Sequence, residues 1–75
     1  AYAQLTELMA VPGYNGDWEA DWTNGILKWV IRRDRNIIEK IDFHRLYHPI
    51  AFKSQEARDA FLENHVDLLK QYFQL

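Results

Sequence analysis

The C-terminal third of the chain carries a helical pattern that constrains the fold more strongly than any other feature. Between Ser54 and Phe73, apolar residues recur every three or four positions and collect on one half of a helix, with charged residues on the other. The Ser54 hydroxyl can cap the first free amides, and Glu56 suits the positive end of the helix dipole. We therefore predict a helix that begins after Ser54 and packs on a sheet. Its apolar half consists of Ala57, Phe61, Leu62, Val66, Leu68, Leu69, Tyr72 and Phe73.

Upstream of this helix, apolar and polar residues alternate with a period of two, which is typical of β-strands. The pattern predicts a hairpin with strands at about residues 27–32 and 37–43. Its turn is expected at residues 34–36, because Asp and Asn tolerate the left-handed backbone angles of a tight reversal. Pro49 opens a third short strand, at a position where a missing backbone donor matters least. The alternating apolar residues are Leu27, Trp29, Ile31, Ile37, Ile41, Phe43, Ile50 and Phe52.

A short amphipathic helix at residues 2–9 precedes the strands, and Pro12 and Gly13 end it. This order predicts an α+β domain (α-β-β-β-α). We expect two layers, a three-stranded antiparallel meander with a short N-terminal helix and a long C-terminal helix on one sheet face. A chain of this length holds a single small domain, residues 1–75. Because it begins at Ala1 without Met, we expect either a trimmed chain or the excised C-terminal end of a longer protein.

The composition indicates a folded domain and disfavours several kinds of partner. Hydrophobic residues make up 48% of the chain and aromatic residues 15%, which excludes a disordered segment. Nine Lys and Arg against 11 Asp and Glu give a net charge of -2, so nucleic acid is not the expected partner. No apolar run is long enough to span a bilayer, so we expect no membrane partner. The chain has no cysteine, and a reducing compartment such as the cytoplasm fits best.

Short motifs in the loop, the first strand and the start of the last helix form one pattern. They are Tyr14-Asn15-Gly16-Asp17-Trp18, Asp21-Trp22, Trp29-Val30-Ile31, Phe52-Lys53-Ser54, the segment from Arg58 to Asn64, and Asp67-Leu68-Leu69. This pattern resembles a group of short uncharacterised domains of gut anaerobic bacteria and their bacteriophages, often found at the C-terminal end of a protein. The chain departs from the group's pattern at Ala20, where a proline is typical, and at Arg32 and Arg33 in a usually more aromatic strand. The resemblance implies this fold and a bacterial or phage origin, and it implies no catalytic residue.

Three histidines are the first candidates for a metal site, since imidazoles are common zinc ligands. His44 and His48 lie four residues apart in a strand end and connection, and His65 falls on the apolar face of the last helix. A single histidine on such a face more often bonds to a carbonyl or a carboxylate. We therefore expect no metal and no cofactor, while the spacing leaves open whether the three histidines converge.

The loop carboxylates Asp17, Glu19 and Asp21 superficially resemble the start of a calcium loop. An EF-hand would need glycine and a bidentate glutamate where this chain has Trp22 and Lys28, so we expect turn capping and solubility instead. The single serine of the chain is already explained as a helix cap, and a small domain offers little room for a catalytic cleft. We expect a protein that is not an enzyme.

The aromatic residues Tyr14, Trp18 and Trp22 stand among turn-forming glycines and asparagines. Their large rigid surfaces suit either a sugar-stacking platform or a protein-binding hot spot. Alternatively, the loop folds back over the sheet and buries at least one tryptophan to complete a small core. The two interpretations are compatible if one ring is buried and another is exposed.

Arginine is concentrated at the predicted hairpin tip, where Arg32, Arg33 and Arg35 are separated only by an aspartate. Such a cluster can meet phosphate or an acidic partner, or it can simply keep the strand edge soluble. A further arginine, Arg58, lies on the apolar helix face. We expect it either to extend to the edge of the core or to pair with a carboxylate such as Glu39.

Together these features favour a non-enzymatic protein-interaction or accessory module of a bacterial or phage protein. It would use the aromatic loop and an uncovered sheet face to contact another protein or a second copy of itself, as a homodimer. Both strand faces carry apolar residues, which is the reason for this expectation. The alternative is a weak nucleic-acid-binding module that uses Arg32, Arg33 and Arg35, with Trp29 available for stacking.

Overall fold

The computed structural model describes residues 2–23, 25–43 and 47–75 of the chain. Two helices and three strands follow one another in the predicted order, and the α+β fold class is confirmed. The elements are α1 (Tyr2–Met9), β1 (Lys28–Asp34), β2 (Ile37–Phe43), β3 (Ala51–Phe52) and α2 (Gln55–Phe73).

The three strands are antiparallel and lie in the order β2-β1-β3, so β1 is central. This differs from the meander expected above, in which β2 would be central. The short β3 pairs with β1 through Trp29 opposite Phe52 and Val30 opposite Ala51, and the Ile31 amide donates to the Ile50 carbonyl. The central place lets both faces of β1 be covered, and Val30 on one face and Ile31 on the other are buried.

The hairpin between β1 and β2 closes through residues Arg35 and Asn36. The predicted position of the turn is therefore correct. The left-handed backbone conformation belongs to Arg35 (φ 57°), however, and not to the flanking Asp or Asn. This conformation costs an L-residue other than glycine about 1 to 2 kcal/mol, so the turn stores a small strain at Arg35.

Helix α2 matches the sequence prediction at both ends. The Ser54 hydroxyl accepts a hydrogen bond from the Ala57 amide at 3.1 Å, as an N-cap does. Gln74, in a left-handed conformation, closes the helix by donating its backbone amide to Gln71. Within the helix, His65 departs from helical angles (φ -132°, ψ 29°) and marks a kink.

The core lies between α2 and the sheet face formed by alternate strand residues. Periodicity predicts that Phe61, Leu68 and Leu69 are buried; Phe61 and Leu69 are fully so, whereas Leu68 is half-buried against the core. Both helices contribute to this core, which places them on one sheet face as predicted. The buried cluster consists of Leu5, Met9, Ile31, Ile50, Phe52, Ala57, Phe61 and Leu69.

The opposite sheet face is covered more completely than the sequence suggests. Val30 is fully buried there and Ala51 nearly so, and Lys28 on the same face is only 1% exposed. The expected uncovered face is therefore reduced to β2, where Ile37 is 58% exposed, and to the hairpin end of β1. Covering β1 and β3 is possible because the loop between α1 and β1 lies against this end of the sheet, with the Trp22 ring 5.0 Å from the Lys28 ammonium.

Candidate functional site

The side chain of Asn15 joins the loop that follows α1 to the outer edge of β3. Its amide nitrogen donates to the Ala51 carbonyl at 2.9 Å, and its amide oxygen accepts from the Lys53 backbone N–H at 3.1 Å. The side chain thus takes the hydrogen bonds that a fourth strand would take, and it is only 7% exposed. Gly16 follows directly in a left-handed conformation (φ 57°), which lets the loop turn away from the sheet edge.

A pocket of about 580 Å³ lies beside this attachment point, between α1, the loop and the residues that lead into β3. Its volume is within the usual range for ligand sites. We call it the aromatic pocket, because its lining includes the aromatic side chains of Tyr2, Trp18, Trp22 and Tyr47. Trp18 and Trp22 are half-buried, so each has part of its surface packed and part accessible.

Trp22 contacts two other residues of the pocket lining. Its ring makes an edge contact with Tyr47 at 5.9 Å and a tilted contact with His48 at 6.1 Å between ring centroids. The preceding Asp21 accepts hydrogen bonds from the backbone N–H and the hydroxyl of Thr23, at 2.9 and 2.6 Å. The turn capping expected for the loop carboxylates is therefore observed at Asp21.

Two tyrosines stand at the opening of the pocket. Tyr2 belongs to α1 and Tyr47 to the segment before β3, and both side chains are exposed. The neighbouring Tyr2 hydroxyl, by hydrogen bonding first and by its electrostatic effect second, raises the pKa of Tyr47 above its usual value. Tyr2 also packs against Tyr72 of α2, with 5.6 Å between ring centroids, so this side of the opening rests on the helical layer.

The third aromatic residue of the predicted loop group, Tyr14, lies outside the pocket lining. Its ring makes an edge contact with Phe61 at 5.0 Å and lies 5.9 Å from His65. Its hydroxyl accepts a hydrogen bond from the Asn64 side chain at 3.0 Å. Tyr14 therefore packs, half-buried, against the core below α2. The alternative interpretation of the loop expected a buried tryptophan, whereas Trp18 and Trp22 are both half-buried and line the pocket.

The described histidines have separate aromatic neighbours. His48 contacts Trp22, whereas His65 lies 4.8 Å from the Phe61 ring. His44 lies outside the described residues, so the question of whether all three converge is not answered. Among the residues that the structure describes, no group of three histidine or acidic side chains could hold a metal ion.

The arginines of the hairpin do not form one patch. Arg32 forms a salt bridge with Glu39 on the facing strand at 2.7 Å. Arg33, on the opposite face by strand alternation, donates to the backbone carbonyls of Arg35 and Phe73. These contacts connect the two strands near the hairpin tip and link the tip to the C-terminal end of α2.

Arg58 pairs with a carboxylate, as one of the two expectations states, but the partner is Asp59 and not the suggested Glu39. Glu39 lies on the sheet face away from α2, where Arg32 holds it. Arg58 is buried against the sheet, where it donates to the Ile41 carbonyl at 3.1 Å and to the neighbouring Asp59 carboxylate at 3.0 Å. Its guanidinium also lies 5.3 Å from the centroid of the Trp29 ring in β1.

Sequence reasoning missed three residues of this region: Asn15, Tyr2 and Tyr47. Asn15 carried a signal, since it stands next to a glycine in a loop without regular structure and can offer a donor and an acceptor. Nothing in the sequence links Tyr2 to Tyr47, because 44 positions, including strands β1 and β2, separate them.

No protein-family model, no curated protein and no solved structure matches this chain. The resemblance to bacterial and phage domains therefore stays an expectation. In the described part of the chain, neither helix has the length and apolar character needed to cross a bilayer.

Proposed function

We propose that this domain is a non-enzymatic protein-interaction module that holds part of a partner protein in the aromatic pocket. The single observation that carries the proposal is the pocket itself, in which Trp18 and Trp22 are half-buried beside a side chain that fixes the loop to the sheet. Tryptophan in a pre-organised concave site offers a large contact area at a small cost in conformational entropy.

The chemistry of the pocket supports binding more than catalysis. Aromatic rings and small residues dominate the lining, and the hydroxyl of Ser54, the only serine, caps α2 instead. A neutral sugar could also stack on a tryptophan, which leaves a carbohydrate ligand as the rival outcome.

A displayed library of random peptides tests the proposal. We expect wild-type protein to enrich peptides that bind with micromolar affinity and shift the indole N–H resonances of Trp18 and Trp22 in NMR spectra. The variant Trp18→Ala should lose this binding, and Ile37→Ala, a change on the distant β2 face, should keep it. No enrichment, peptides that bind Trp18→Ala equally well, or indole shifts caused only by oligosaccharides would overturn the proposal.

A second surface favours self-association as an additional mode of interaction. Strand β2 is an outer strand, and within the described residues no strand pairs with its free edge. If two copies pair antiparallel with Ile41 opposite Ile41, Lys40 of each copy lies opposite Asp42 of the other, which gives two pairs of opposite charge. If they pair with Lys40 opposite Lys40, two like charges face each other. The first register therefore suits a homodimer with a continuous six-stranded sheet.

Charge exchange tests this register without removing apolar surface. Sedimentation velocity at rising concentration should show dimers of the wild type and fewer dimers of Asp42→Lys. The double variant Lys40→Asp/Asp42→Lys should restore them, because it exchanges the two charges. A strict monomer, or dimers that are indifferent to both changes, would remove this mode.

The contacts of Arg32 and Arg33 give no support to nucleic-acid binding at the hairpin tip, because both side chains already bond within the domain. The absence of cysteine supports a reducing compartment, such as the cytoplasm of a bacterial host.

A further inference from the structure

We propose that the aromatic pocket selects a lysine side chain of the partner protein. This inference rests on the proposed function and deepens it, since it names the chemical group that enters the pocket. Three properties of the described residues carry it: the character of the walls, the sign of the charges at the opening and a cation already held by the same wall.

The walls are of the kind that attracts cations. Trp18 and Trp22 present indole rings, whose faces bind an ammonium group more strongly than those of Phe or Tyr. The phenol rings of Tyr2 and Tyr47 add two further aromatic surfaces at the opening. A lysine stem of four methylene groups can also pack along such rings, which leaves its ammonium at the far end to find a charge.

Among Asp, Glu, Lys and Arg residues, only acidic ones belong to the described pocket lining. Asp17 and Glu19 both belong to its lining and are exposed, so their carboxylates can approach a ligand without first being removed from water. Within the described part of the chain, no lysine or arginine belongs to the lining. A cationic ligand is therefore attracted and an acidic one repelled, which is charge complementarity of the kind that guides specific association.

The chain itself supplies an example of the contact. The Lys28 ammonium lies 5.0 Å from the centroid of the Trp22 ring, and its Nζ donates to the Ile26 carbonyl at 2.7 Å. Lys28 does not belong to the pocket lining, yet it shows that an ammonium group is held against this wall in the folded protein. Trp18 remains as the indole wall on which the partner's lysine would lie.

The test uses a matched pair of small probes, N-acetyl-lysine methylamide and its neutral analogue N-acetyl-norleucine methylamide, titrated into the protein and followed by NMR. The lysine probe should shift the indole N–H resonances of Trp18 and Trp22 and leave that of Trp29, under α2, unchanged. At equal concentration the norleucine probe should cause no comparable shift.

Two sets of variants separate charge from packing. The double variant Asp17→Asn/Glu19→Gln should weaken binding of the lysine probe by about fivefold to tenfold. The control Asp34→Asn/Glu63→Gln changes the net charge equally at distant exposed positions and should weaken it by less than about twofold. Trp18→Leu should bind at least about threefold less tightly than Trp18→Phe, which keeps an aromatic face.

The outcomes distinguish this inference from the proposed function. Library peptides that occupy the pocket but keep their affinity when every lysine is replaced by norleucine would overturn the lysine inference and leave the interaction proposal intact. Equal shifts by both probes would overturn it as well. Binding of the lysine probe without any peptide binding would instead support the cation site and count against the interaction module.

Discussion

The layer formed by α2 on the sheet and the loop between α1 and β1 use large aromatic side chains in opposite ways. In the first region Phe52 and Phe61 are fully buried, with 5.0 Å between their ring centroids. In the second, Trp18 and Trp22 remain half-buried beside an open pocket. Tryptophan is large and seldom completely buried, so the informative feature is that the two rings share one pocket.

The difference follows from how the backbone N–H and C=O groups of each region are hydrogen-bonded. In the helical layer, regular hydrogen bonds pair the backbone, so side chains are free to fill the interior completely. In the loop, the backbone depends on local turns and on the side chain of Asn15, which holds it at the edge of β3. Here the two indole rings lie at the edge of the sheet, and this geometry leaves part of each ring accessible in the pocket.

The largest expected effect is in the helical layer. Phe61→Ala should lower the free energy of unfolding by about 3 to 5 kcal/mol, because it removes a fully buried ring and leaves a cavity. Glu63→Ala, on the exposed side of α2, should change it by less than about 0.5 kcal/mol. Thermal and denaturant unfolding measure both values. If Glu63→Ala were the more damaging change, the assignment of the buried helix face would be wrong.

Substitution of Asn15 tests the contact that attaches the loop to the sheet. Asn15→Ala should cost about 1 to 3 kcal/mol, since it leaves the Ala51 carbonyl and the Lys53 amide without their partner. Asn15→Asp should not restore stability, because a carboxylate cannot donate to the Ala51 carbonyl.

Hydrogen exchange shows where the loss from Asn15→Ala occurs. We expect faster exchange in the loop at residues 11–23 and little change in α2. A uniform increase over the whole chain would mean that the loop is as integral to the fold as the helical layer, and the comparison of the two regions would fail.

A smaller effect, of opposite sign, is expected at the hairpin turn. Arg35→Gly should stabilise the domain by about 1 kcal/mol, because glycine adopts the left-handed angles of this position without a Cβ penalty. Arg35→Ala serves as the control, since it removes the side chain and keeps the strain. If the two regions unfold together, circular dichroism of the helices and tryptophan fluorescence should report the same gain for Arg35→Gly.

The smallest effect concerns the opening of the pocket. Because the pKa of Tyr47 is raised, the folded state favours its neutral form. This contribution to stability is fully present below the ordinary tyrosine pKa of about 10, and it is lost as the pH rises through the folded-state value. Ultraviolet titration of tyrosinate should show an ionisation that Tyr47→Phe removes and Tyr2→Phe moves back towards the ordinary range. An unchanged Tyr47 titration in Tyr2→Phe would mean that the Tyr2 hydroxyl does not raise the pKa of Tyr47.

Local patterns in the sequence determined most of the helical layer. The bounds of α2, its Ser54 cap and the burial of Phe61 follow from residues within a few positions of one another, where periodicity and capping act. The hairpin position is equally local. Its left-handed residue was misassigned, because propensity favours Asp or Asn there and the register of the two strands selected Arg35.

Only the tertiary structure decided how these elements combine. The strand order β2-β1-β3, the contact of Arg58 with the Ile41 carbonyl and the attachment of Asn15 to Ala51 join residues far apart in the chain. The same holds for Tyr14, which the sequence grouped with two tryptophans and which Phe61 and Asn64 draw into the core. Periodicity encodes which face of an element is apolar. Which surface meets that face depends on the closure of long loops and on the fit of side chains across them, and neither is written in any short stretch of sequence.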